Sequence, residues 1–109
     1  MNGDAAELAR LRALSPNAEL WTEAGGPLVY MPDLTVQSGG AKHKVDALLC
    51  PRPRDGYLTR LFFSVPLGGG RAWTPYAIMA GNWFAFSWQG ISADQPWLDI
   101  LASHLEAAK

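Results

Sequence analysis

A chain of 109 residues that is 49% hydrophobic and 17% charged, with five tryptophans, has the means to bury one real core, and this composition excludes intrinsic disorder. One domain spanning residues 1–109 is expected. Nine Lys and Arg against ten Asp and Glu leave a net charge of -1, which lacks the broad positive field of a nucleic-acid binder, so no nucleic acid is expected as a partner.

Asp4 and Glu7 have the spacing of a helix capping box, and Leu8, Leu11 and Arg12 follow at helical intervals until Ser15 and Pro16, which predicts a short N-terminal helix. Those first residues lack the basic start and apolar stretch of a secretory signal, and no apolar run approaches a membrane span. With a single unpaired cysteine, the chain is expected in the reducing cytoplasm, away from membranes. Glu19 to Glu23 and Leu28 to Met31 read as strands joined across Gly25, Gly26 and Pro27, and Pro32 is expected to end the second. Thr35 to Lys44, with Gly39, Gly40 and mixed polarity, reads as a connecting loop.

Val45 to Cys50 and Leu58 to Val65 are the next strand candidates, pairing across Asp55 and Gly56. Pro66 to Gly81 holds three consecutive glycines and Pro75, and reads as a loop longer than an ordinary connection. Trp83 to Trp88 is a short aromatic, extended segment. Ser92 to Pro96 then offers a cap and a first-turn proline for a closing helix, along which Trp97, Ile100, Leu101, Leu105 and Ala108 form one apolar stripe. The expected order is helix, four strands, long loop, helix. That is an α+β fold in which an antiparallel four-stranded sheet carries an N-terminal and a C-terminal helix.

Few residues carry chemistry. Cys50 ends an apolar run and is separated from Arg52 and Arg54 by Pro51, which suits a small buried hydrophobe better than a reactive thiol. His43 and His104 have no Cys or carboxylate at ligand spacing, so no metal is expected, and both read as ordinary surface or helix-face histidines. Gly68 to Arg71 lacks the ending of a phosphate loop and reads as a flexible turn; no cofactor is expected. Trp73, Tyr76, Trp83, Phe84, Phe86, Trp88 and Trp97 crowd together, mostly as core. Among them Trp73, Tyr76, Trp83 and Trp88 are the candidate partner-binding side chains, since interfaces favour Trp and Tyr.

The segment order resembles the ubiquitin-conjugating enzyme fold, in particular a divergent prokaryotic branch found alongside ubiquitin-like proteins and activating enzymes. The resemblance runs over nearly the whole chain: the leading helix, the hairpin at Gly25 and Gly26, Val45 to Leu49, Leu61-Phe-Phe-Ser-Val-Pro-Leu67, and Trp83-Phe-Ala-Phe-Ser-Trp88 before Pro96 to Asp99. It implies a nucleophilic cysteine in the segment from Leu67 to Asn82, which here contains neither cysteine nor histidine. No His-Pro-Asn element is present, and Gln89 stands near the position where some prokaryotic members carry a histidine. Thioester exchange needs a thiolate, and a hydroxyl needs an adjacent base, which Thr74 lacks in sequence.

The resemblance therefore implies a non-catalytic variant acting by binding in a bacterial ubiquitin-like conjugation pathway. Its partner there is a ubiquitin-like protein, an activating enzyme or a catalytic conjugating-enzyme paralogue, and the assembly a hetero-oligomer. Two alternatives stay open: an active conjugating enzyme using Cys50 as a thioester or Thr74 as an oxyester, and a stand-alone binding module with exposed tryptophans.

Overall fold

The computed structural model describes residues 3–23, 26–67 and 71–109. Its elements are α1 (Gly3–Leu11), β1 (Glu19–Glu23), β2 (Gly26–Ser38), β3 (Ala41–Cys50), β4 (Arg60–Phe63), β5 (Thr74–Ile78), β6 (Gly81–Ala85) and α2 (Trp97–Ala108). The strands form one antiparallel sheet in the order β1-β2-β3-β4-β6-β5. The sheet thus has six strands, not four, because β5 and β6 join it, and two local features depart from the expected segments.

The first is the region from Thr35 to Lys44, which is strand and not loop. Gly39 and Gly40 alone make the turn, at φ 62° and 80°, the left-handed pair that a two-residue hairpin demands, and Thr35 to Ser38 pair with Ala41 to Lys44 on either side. Pro32 does not end β2 either. The ladder shifts register between Met31 and Leu34, so the proline, which has no N–H to donate, sits in a bulge with Asp33 at φ 55°. The bulge is tied down from two sides. Asp33 N–H donates to Asp46 Oδ1 at 3.1 Å, and Ser15 Oγ, just beyond α1, donates to the Pro32 carbonyl at 2.9 Å.

The second feature is β5, which takes up Thr74 to Ile78 inside the expected long loop. Its turn to β6 uses Met79 and Ala80, both left-handed, at φ 50° and 66°. Because β6 lies between β4 and β5, the chain leaves β4, crosses over and returns by way of the sheet edge. The three glycines at 68–70 on that crossover lie outside the described residues. Gly25 of the first hairpin also does, but β1 and β2 pair antiparallel from Glu19↔Tyr30 to Glu23↔Gly26.

Both helices pack on one face. Val29, Met31, Leu34, Val36, Ala47, Leu49, Leu61 and Phe63 from the sheet meet Leu11 of α1 and Trp97, Ile100, Leu101 and Ala108 of α2. Each fully buried Leu, Ile or Phe side chain there contributes about 1.5–3 kcal/mol. Asp4 lies inside the first turn of α1, not at its cap, and Ser92 accepts the Asp94 N–H in the turn before α2 while Pro96 itself stands at the cap position. No described helix is long and apolar enough to cross a membrane.

Candidate functional site

Register decides which side chains reach the other face, because cross-strand partners in an antiparallel pair share a side. Trp21 opposes Leu28, Tyr30 opposes Leu48, Leu48 opposes Phe62, Cys50 opposes Arg60 and Tyr76 opposes Trp83. Leu28, Leu48, Cys50, Phe62, Ile78, Trp83 and Ala85 form a second buried layer, with Trp21, Tyr30 and Tyr76 half-buried against it. The rings hold one another in place. Trp21 stacks on Tyr30 at 4.6 Å, Tyr30 meets Trp83 edge-on at 6.2 Å, and Phe62 meets Tyr76 edge-on at 5.4 Å.

What covers this layer is a set of cations instead of a helix. Between β3 and β4 the chain turns at Asp55 and Gly56, φ 54° and 84°, and Arg54 and Tyr57 exchange two backbone hydrogen bonds of 2.9 Å across the turn. The turn carries Arg54 to 5.7 Å from the Phe62 ring centre and lays the Tyr57 ring 4.0 Å from the Arg60 guanidinium, while Tyr57 Oη donates to Ser87 Oγ at 2.8 Å. Arg60 is enclosed: its side chain is 3% exposed, with the rings of Phe62 and Tyr76 each at 5.2 Å. Aromatic faces partly offset the cost of burying that charge.

Glu23 Oε1, from the edge strand, accepts from Arg52 at 2.9 Å and from Arg54 in a short contact. The Arg54 hydrogen bond holds the Glu23 carboxyl below its ordinary range against the opposing effect of burial, and the charges of Arg54 and Arg52 add to it. Asp55 lies farther off, at 3.6 Å from Arg54 and 4.0 Å from Arg60. Among the described residues the buried Nε groups of Arg52 and Arg54 have no hydrogen-bond partner. Glu19 Oε1 accepts from Trp21 Nε1 at 3.2 Å and Asp46 Oδ2 accepts from Tyr30 Oη at 3.3 Å, so the face is an aromatic floor bordered by three guanidiniums and four carboxylates.

Cys50 is in this floor. It is fully buried, its Sγ pointing to the Arg52 carbonyl at 3.5 Å, and burial pushes the thiol up against the opposing charge of Arg52. Thr74 is exposed at the start of edge strand β5, opposite Ala85. Of the four candidate aromatic anchors, only Tyr76 and Trp83 come together on this face. Trp73 is on the helix side, with its ring 6.0 Å from Phe63 and 5.2 Å from Phe86. Trp88 lies beyond β6, half exposed. It lines a cavity of about 10 Å³ together with Arg60, Leu61, Phe63, Phe86 and His104. That volume holds about one water molecule and excludes a small-molecule ligand.

Trp21, Tyr30, Tyr57 and the three arginines were not apparent as site residues, because their meeting depends on register. His104, expected on a surface or helix face, is buried on α2 and bonded to Thr59 at 2.8 Å, and burial, with the charge of Arg60, lowers it to about 4. Among the described residues no group of His, Cys, Asp and Glu is arranged to hold a metal ion. Comparison with family models, with curated proteins and with solved structures gives no match to this chain.

Proposed function

We propose that this chain acts by binding a protein partner, without catalysis, and that it does so as a subunit of a bacterial ubiquitin-like conjugation pathway in the cytoplasm. One observation carries the binding reading: a sheet face that no described helix covers, in which stacked aromatics and partly exposed arginines lie beside one another. Rigid aromatic rings next to arginine are the side chains most enriched at interface hot spots. The reading also draws on the state of the two nucleophile candidates. Cys50 is enclosed with its thiolate disfavoured, and no base is hydrogen-bonded to Thr74 among the described residues.

The pathway is carried by the resemblance of Leu61 to Leu67 and Trp83 to Trp88 to the conjugating enzymes. The partner is then a ubiquitin-like protein, an activating enzyme or a catalytic paralogue. The test is co-expression of the tagged chain with the ubiquitin-like protein, activating enzyme and conjugating enzyme of a bacterial pathway, followed by purification and incubation with ATP. A stoichiometric non-covalent complex and no adduct on this chain are expected. A thiol-sensitive adduct lost in Cys50→Ser, or a hydroxylamine-sensitive one lost in Thr74→Val, overturns the non-catalytic reading. Monomeric behaviour with every component overturns the pathway.

A further inference from the structure

The two edges of the sheet differ. Strand β5 carries Pro75, which has no N–H to offer a further strand, whereas β1 contains neither proline nor lysine. Thr22 stands opposite Pro27, which likewise lacks an N–H, so theirs is a pair that exchanges no hydrogen bonds. Thr22, and Leu20 two positions before it, therefore turn their N–H and C=O groups away from β2, to be satisfied by water or by another strand. Leu20 leaves this edge on the helix side, opposite Val29, and is 40% exposed.

Carboxylates and arginines nearly balance over the face as a whole, but their signs separate along β1. At the Glu23 end stand Arg52, Arg54 and Arg60 with the carboxylates of Glu23 and Asp55. At the Glu19 end, burial and then the charges of Asp46, Glu19 and Asp33 raise the Tyr30 hydroxyl above its ordinary range, so three carboxylates act on one point. Among the described residues none of these three is in an ion pair, and Lys44, two positions from Asp46, is exposed and makes none either. A copy of β1 running antiparallel along this edge meets each end with the opposite one.

We infer that β1 pairs antiparallel with β1 of a second copy of this chain about a two-fold axis at Trp21, so that the two sheets join and Glu19 of each copy reaches Arg52 and Arg54 of the other. Such an isologous contact closes on itself and removes the open edge. Leu20 of one copy lies opposite Thr22 of the other and exchanges both backbone hydrogen bonds with it, which takes the exposed leucine out of water. The two Trp21 side chains form the pair without hydrogen bonds, in which cross-strand side chains stand closest, and they join the Tyr30 stack of one copy to that of the other. Glu19 opposes Glu23 in this register. Because Glu23 already accepts from both partly exposed guanidiniums, the incoming carboxylate meets their other N–H groups.

The inference goes beyond the proposed pathway and does not rest on it, since the chain alone forms the pair. Sedimentation equilibrium of the full chain at concentrations up to about 1 mM is expected to show a mass rising from 11.8 kDa toward twice that value, less so as salt is raised. Thr22→Pro, which removes an outward N–H and spares the ladder to β2, is expected to give a monomer that circular dichroism shows to be folded. Glu19→Arg and Arg52→Glu each set like charges against one another at both contacts, so each alone is expected to dimerise at least about tenfold more weakly. Mixed in equal amounts they are expected to pair about as tightly as the parent, because one contact is reversed in sign and the other is unchanged. A mass of 11.8 kDa at every concentration overturns the inference, even where the chain still assembles with pathway proteins, and so does a dimer that persists in folded Thr22→Pro. A mixture no tighter than its two folded components overturns the pairing of Glu19 with the arginines. If Arg52→Glu does not fold, Glu19→Arg decides alone, and dimerisation equal to the parent's overturns that pairing.

Discussion

Thr59 and His104 share one arrangement of protons. Thr59 Oγ1 lies 2.9 Å from the Ile91 carbonyl, which only accepts, so the hydroxyl proton goes there, and at 2.8 Å the same oxygen must accept from His104 Nε2. His104 is therefore held as the neutral tautomer protonated on Nε2. The pair ties the start of β4 to α2 and to the segment that precedes it, all inside the helix-side core.

A pH-dependent stability follows. Burial, with the charge of Arg60, lowers His104 from 6.5 to about 4, so between these values the unfolded chain takes up a proton that the native state refuses. The contribution is complete above about pH 6.5 and is lost as pH falls toward 4. Its upper size, at about 1.4 kcal/mol per unit of pKa, is about 3 kcal/mol. Urea denaturation at a series of pH values is expected to show this decline, and His104→Gln, which keeps a donor near Thr59 without titrating, is expected to remove most of it. A flat profile from pH 7 to 4.5 in the parent chain contradicts the neutral, buried histidine. Glu23, whose carboxyl is held below its ordinary value of 4.5, loses its own contribution only below that value, so the two effects separate.

Cys50 gives a second, kinetic prediction. The sulfur is fully buried in the floor of the helix-free face and its thiolate is disfavoured by desolvation. Ellman's reagent at pH 8 is expected to label the native chain only through opening of the sheet, many times more slowly than the chain in urea. Cys50→Ala is expected to fold and to cost about 1 kcal/mol for the small volume lost. Native labelling as fast as that of the unfolded chain contradicts the burial of this face.

The crossover contributes through Arg71. Its guanidinium donates to the Ala107 carbonyl at 2.7 Å and to the Lys109 carbonyl at 2.9 Å while lying 4.8 Å from the Phe86 ring centre. No basic residue stands in the last turn of α2, so Arg71 supplies from another part of the chain both the bonds and the charge that a helix C-terminus favours. Arg71→Ala is expected to lower stability by about 1–2 kcal/mol in thermal or urea denaturation, with Arg71→Lys between it and the parent. A change below about 0.3 kcal/mol would show that these carbonyls find water equally well.

Much of this architecture is legible in the residues. The closing helix follows the stripe from Trp97 to Ala108, and β3 and β4 meet across Asp55 and Gly56 because Asp-Gly takes the left-handed turn readily. The extension of β2 and the presence of β5 were hidden for opposite reasons. Pro32 looks like a strand end, but Asp46 accepts the Asp33 N–H and so supports a bulge that carries β2 past it. The β5 to β6 turn has no glycine or asparagine at its two central positions, where Met79 and Ala80 adopt the left-handed conformation that those residues favour. For the site, the abundance of Trp and Tyr was visible but their division between two faces was not. Glu23 lies 29 and 31 positions from the arginines it joins, a distance at which no local pattern speaks.

Gly26 connects backbone strain to the arginine cluster. It has φ +139°, and a Cβ placed there would come within 2.9 Å of both Cδ and Nε of Arg52. Gly26→Ala should therefore lose stability in two separable parts. The backbone part, about 1–3 kcal/mol, arises because this region of φ is nearly closed to L residues. The steric part arises because Arg52 must leave its place beside Glu23, and a flexible side chain does so at lower cost. A double-mutant cycle with Arg52→Ala distinguishes them. The steric part disappears in the Arg52→Ala background and the backbone part remains, so Gly26→Ala is expected to cost less there, but still at least about 1 kcal/mol. An identical cost in both backgrounds would mean that Arg52 does not lie across Gly26 in solution, and so does not border the aromatic floor from that side.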